Sequence, residues 1–254
     1  MHRDAACIKY LEKYIVGDSG LNILAQRKEW LVESNAKIKL EGWLSPGNAP
    51  KLLWISGPLE PQHLSSSRAA SLAVVAAGNS IGAPLISHFC EKPPRHLRIE
   101  EQDLEKAGLI GLVYNLIHQI VKLGIENSNL TINDERFNAL NGSRESWPQS
   151  LSILDDLLQD VSGVQYCIIH GLNDLESGTG FEWCSQLIDL LLKHQQAENI
   201  AFNLLFTTTG QCRVLSKSIQ YTNRCSLTKR MEEVKRRGKR LDYPIKSTEY
   251  KESQ

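Results

Sequence analysis

Gly57 and the hydroxyl run Ser65-Ser66-Ser67, with Arg68 next in line, stand at the two ends of a short segment that could hold a phosphate group. The chemistry would be electrostatic. Glycine lets the backbone turn tightly, amides at a helix start point at the anion, and a hydroxyl holds a divalent cation. A loop of that kind reads G-x-x-x-x-G-K-S/T, with the lysine meeting the outer phosphates. In register with Gly57, the chain places Gln62, His63 and Leu64 where the second glycine, the lysine and the hydroxyl belong. Pro58 and Pro61 remove two amide donors, Glu60 brings a negative charge, and His63 is mostly neutral at pH 7. Each charged hydrogen bond lost costs about 1.5–3 kcal/mol, so several losses remove most of the affinity. The serines and Arg68 could still attract an anion at the helix start, but a plain helix cap is the simpler reading.

A second metal-binding position fails independently. The apolar run Tyr166-Cys167-Ile168-Ile169 is followed by His170, where a magnesium-orienting aspartate would stand. Asp174 and Glu176 come too late for the strand end and suit a surface or helix-start role. Thr207, Thr208 and Thr209 close another apolar run at a sheet's carboxyl edge, where α/β folds bind ligands. With no nucleotide to sense, they read as strand-ending turn residues. His88 and Cys90 share one face of a strand and read as a buried imidazole beside a core thiol. Nothing in the serine, histidine and aspartate pattern is assigned to a nucleophile elbow or a triad. No catalytic, cofactor-binding or metal-ligating residue is therefore assigned, and no cofactor is expected.

Alternating elements would position these residues. Strands are predicted over residues 51–56, 84–90, 164–170 and 201–207, each apolar almost throughout. Helical spacing predicts helices near 8–15 and over 21–40, 67–78, 109–123, 147–161 and 181–194. The stretch 126–146 is polar and turn-rich, a surface excursion. Continuous apolar strands separated by helices predict an α/β fold, a parallel sheet flanked by helices in a doubly wound arrangement. Three segments follow: an N-terminal helical segment over 1–42, the α/β domain over 43–228, and a basic polar tail over 229–254.

Composition narrows the partners. Acids and bases balance at 29 each among 254 residues, so no net field draws the chain to nucleic acid or to an anionic membrane. No uninterrupted apolar run approaches the length that spans a bilayer. The six cysteines are scattered without a Cys-x-x-Cys spacing, which argues against zinc and for a reduced intracellular, cytoplasmic setting. The cluster from Lys229 to Arg240 reads as a solvated helix end, with nuclear import or an acidic partner as its sharper alternatives.

The blocks 51–58, 86–91, 108–114, 167–175 and 205–215 occur in an order that resembles a STAND-type P-loop NTPase module, similar to NACHT-like proteins of filamentous fungi. The resemblance covers roughly residues 43–215. It implies a nucleotide-regulated switch module of a signalling protein. The chain departs from the pattern at the lysine, the hydroxyl and the aspartate just described. We therefore expect a pseudo-NTPase: a scaffold or regulatory interaction module without efficient hydrolysis, acting through unknown protein partners. Two alternatives stand beside it. One is an unconventional ATP- or GTP-binding switch using Arg68, Asp174 and Thr207 to Thr209. The other is an accessory protein of a fungal biosynthetic or defence gene cluster.

Overall fold

The computed structural model describes residues 9–21, 31–45, 51–60, 64–93, 103–126, 134–160, 163–197 and 202–240. Pro61, Gln62 and His63, residues 22–30 of the predicted helix at 21–40, and the tail beyond 240 lie outside the described residues.

Five strands form a parallel sheet: β2 (Leu52–Gly57), β3 (Leu85–Phe89), β4 (Tyr166–His170), β5 (Asn203–Thr209) and β6 (Arg224–Ser226), in the spatial order β3-β4-β5-β2-β6. Their continuous apolar character follows from burial on both faces. Side chains alternate between two cores. Leu53, Ile55, Ile168 and Leu205 face one, while Trp54, Cys167, Ile169, Leu204 and Phe206 face the other.

The first core is closed by α1 (Ser34–Leu44), α2 (Ser66–Ser80) and α8 (Met231–Arg237). The second is closed by α3 (Leu104–Glu126), α5 (Trp147–Asp160), α6 (Gly180–Gln195) and α7 (Arg213–Ser218). A short helix α4 (Asp134–Asn138) precedes α5 and places Phe137 and Leu140 in this core. The expected surface excursion over 126–146 thus contributes packing where it is described. The stretch Leu104–Gly124 has the length and composition of a membrane span, yet 72% of its apolar window is buried inside the fold. Its apolar residues cover more than one face because neighbours surround it.

Three elements differ from the sequence expectation. Leu31–Val32 is a strand, β1, paired antiparallel with β7 (Lys239–Arg240), and Glu33 is extended before α1 begins. A continuous helix over 21–40 is therefore interrupted here, because a partner distant in sequence claims the Leu31 and Val32 backbone. β6 was not foreseen: three residues, Arg224-Cys225-Ser226, carry no periodic signal. The basic cluster begins as a helix, α8, that buries Met231 and Val234 while its arginines face outward.

The N-terminal segment packs on the same body. Leu11 is buried in the α3 core, and Asp18 exchanges two backbone hydrogen bonds with Phe89 at the end of β3. Gly17 makes that approach feasible: its φ is +93°, and a Cβ there would lie 2.3 Å from the Phe89 carbonyl oxygen.

Candidate functional site

Parallel strands bring every carboxyl end to one edge of the sheet, so Gly57, His170 and Thr209 lie along a common rim. Beyond it the connections diverge. The α2 helix leaves β2 over one face toward β3 at the far edge, whereas α7 leaves β5 over the other face toward β6. The crevice between β2 and β5 is a topological switch point, the place where sheets of this class bind ligands.

The start of α2 lies at that crevice. Ser65 caps it, its hydroxyl accepting from the Arg68 amide at 3.1 Å. A Cβ on Gly57 would sit 3.1 Å from the Ser67 Cβ and 3.2 Å from the Ser66 and Ser67 hydroxyls, so glycine lets the strand end meet the helix. An anion at this point would be met by the free amides of the first turn. The chain supplies its own. One carboxylate oxygen of Glu60 accepts from the Ser66 amide at 2.9 Å and the Ser66 hydroxyl at 2.8 Å. The other accepts from the Met231 amide at the start of α8, at 2.9 Å. Glu60, expected only to repel phosphate, occupies the helix N-terminus itself.

The remaining polar groups bond to one another. The Ser71 hydroxyl lies 2.6 Å from that of Thr207, which lies 2.7 Å from His170 Nδ1. All three are buried. Burial, with the nearby Arg68 charge, holds the His170 imidazole down to about 3, so it is neutral near pH 7. Thr209 reaches Ser65 at 3.3 Å and Ser67 at 3.4 Å. Thr208 points to the opposite face, accepts from the Trp54 indole at 3.0 Å and donates to the Gly210 carbonyl at 2.8 Å. The three threonines are thus bound to their own scaffold.

Asp174 and Glu176 separate in role. Glu176 is buried and caps α7, accepting from the amides of Arg213 at 2.9 Å and Val214 at 3.0 Å and from the Cys212 thiol at 3.2 Å. Asp174 sits on the short turn after β4, where burial raises its carboxyl above the ordinary range. Among the described residues, no group of three histidines, cysteines or carboxylates is placed to hold a metal ion.

Arg68 is the group left unsettled. It is buried, yet its Nε and Nη2 make no hydrogen bond. Asp18 and Glu91 stand at 3.6 and 3.7 Å, ion-pair range only, and the guanidinium lies 5.3 Å from the Phe89 ring.

His88 and Cys90 are both buried. His88 Nδ1 lies 2.7 Å from the Asn115 amide, and burial pushes its imidazole down to about 3 and the Cys90 thiol well up. Both are therefore held neutral and do not form a thiolate–imidazolium pair. A pattern overlooked in the sequence is Gly78-Asn79-Ser80-Ile81-Gly82, which spells G-x-S-x-G. A nucleophile elbow needs a strand-to-helix turn. Ser80 instead ends α2, and its hydroxyl donates to the Ala77 carbonyl at 2.7 Å.

No family model matches this chain, and no curated protein matches it either.

Proposed function

We propose that this protein is a P-loop-like pseudo-NTPase: an α/β scaffold that keeps the place of a phosphate site, fills it from within, and works through protein partners. The reading carries forward the resemblance to the STAND-type module. It draws support from the strand-turn-helix passage at the switch point of the sheet.

The observation that carries it is the Glu60 carboxylate at the start of α2. A phosphate arriving there would meet a negative charge already holding the amide and hydroxyl it needs. Displacing Glu60 would also strip an acceptor from the Met231 amide. His170 adds to the same reading. A neutral, buried imidazole bonded to Thr207 offers magnesium no carboxylate and no water.

One observation favours an unconventional nucleotide-binding switch instead: the unbonded Nε and Nη2 of Arg68, in the first turn of α2. Equilibrium dialysis of the full chain with labelled ATP and GTP plus magnesium separates the two. The scaffold reading expects no retention. Retention lost in Arg68→Ala would favour the switch.

A further inference from the structure

At the amino edge of the sheet, opposite the Gly57 rim, the fold leaves a cavity of about 480 Å³. It is enclosed by α1, the first residues of β2, the end of α6 and the turn Tyr221–Asn223 before β6. A cavity of that size suits a small organic molecule and far exceeds what a single ion fills.

The lining has a definite chemistry. Among the described residues no carboxylate contributes to it, while Lys39 and Lys51 do, and the side-chain amides of Gln195, Gln196, Gln220 and Asn223 bring donors and acceptors together. The two lysines differ. Lys51 Nζ donates to the carbonyls of Gly42 and Ser45 at the end of α1, so its charge answers that helix terminus. Lys39 is exposed, lies one turn before Gly42 on the same face of α1, and enters no ion pair among the described residues, whereas Lys37 nearby pairs with Glu41 at 3.5 Å. One ammonium at the cavity is therefore not used by the fold.

Gly42 is a second, independent sign. Glycine weakens a helix and is retained where a close approach excludes a Cβ. Here a Cβ would meet nothing within 4 Å. The space beside Gly42 belongs to the cavity, so the protein's own packing does not call for glycine.

We propose that this cavity binds a small polyhydroxylated carboxylate, its carboxylate at Lys39, its hydroxyls on the four amides and its body over Gly42. A single negative charge matches the one unused ammonium. A dianion would face the carbonyl ends of α1 and α6, which both terminate here. Side-chain amides pair with hydroxyls in both directions, as donor and as acceptor. The cavity is separated from Glu60 by the length of β2, and the proposal does not rest on the proposed function.

The test is a titration of the full chain with gluconate, followed by proton–nitrogen NMR at the Trp43 indole and at the Gly42, Gln196 and Asn223 amides, with Ser66 and Gly171 as controls at the opposite edge. Wild type gives saturable shifts at millimolar gluconate, confined to the cavity. Glucose, the uncharged counterpart, and acetate, the bare carboxylate, bind more weakly. Lys39→Gln weakens gluconate binding by about three- to fivefold, the worth of one part-exposed charge. Gly42→Leu fills the space, abolishes the shifts and leaves the urea midpoint unchanged or higher, since leucine is the better helix former. The absence of saturable shifts with gluconate overturns the proposal. Equal affinity for acetate, an adventitious additive only, or for glucose overturns it too, as does gluconate binding unchanged in Lys39→Gln. If Gly42→Leu fails to fold, Lys39→Gln decides together with the glucose and acetate titrations.

Discussion

His170 Nδ1 lies 2.7 Å from the Thr207 hydroxyl, so the imidazole at the carboxyl end of β4 is tied into the scaffold. Both residues are buried, and the chain from Ser71 through Thr207 to His170 stays neutral because burial and Arg68 disfavour the imidazolium.

A pH dependence follows. The folded pKa of His170, like that of His88, is depressed to about 3, against about 6.5 for an unfolded histidine. The unfolded chain therefore binds protons first as the pH drops. Stability from keeping these rings neutral is fully present above about 6.5 and is lost progressively as the pH falls toward about 3. With both unfolded histidines protonated, the slope approaches about 2.7 kcal/mol per pH unit. Urea unfolding of wild type, His170→Gln and His88→Gln between pH 7 and 5 measures it. Each single variant should show roughly half the wild-type contribution to the slope.

Arg68 gives an expectation of the opposite kind. A buried cation without hydrogen bonds on Nε and Nη2 contributes little net stability, and an apolar side chain of similar length recovers its packing. Arg68→Met should fall within about 1 kcal/mol of wild type in chemical denaturation. It should also raise the His170 pKa toward its ordinary value, because a neighbouring positive charge is gone. The imidazole resonances of the variant would report that shift.

Glu176 tests the cap at the other helix. Three donors converge on its buried carboxylate, two of them first-turn amides of α7. Glu176→Ala should destabilise the fold by about 2–4 kcal/mol, because it removes charged hydrogen bonds and leaves buried donors unpaired. Thermal and urea unfolding would both register the loss.

How much of this was legible beforehand depends on whether the signal was local. Leu53-Trp54-Ile55 and Cys167-Ile168-Ile169 announce strands covered on both faces, since only such strands can be apolar at consecutive positions. The sheet class and most helices follow from runs of that kind. β6 did not, because Arg224-Cys225-Ser226 is held by pairing with Trp54, Ile55 and Ser56 rather than by its own pattern. Leu31 and Val32 escaped for the same reason, their partners lying at Arg240 and Lys239.

The site divided along similar lines. That Gln62, His63, Leu64 and His170 depart from a phosphate- and magnesium-binding pattern is visible in their types alone. That Glu60 turns back onto Ser66 and also reaches Met231 is not, because those contacts span 6 and 171 positions. In one dimension Glu60 reads only as a charge that repels phosphate. In three it is the acceptor for the Ser66 amide and hydroxyl and for the Met231 amide. The G-x-S-x-G of residues 78–82 is the converse case, a motif present in letters and placed at a helix end.

The central claim is that the protein's own carboxylate stands where a nucleotide phosphate would bind. Equilibrium dialysis with labelled ATP and GTP in the presence of magnesium tests it most directly on the wild-type chain, with Glu60→Ala alongside. The account predicts no retention by wild type up to millimolar nucleotide. Micromolar retention by wild type, abolished in Arg68→Ala, would contradict it.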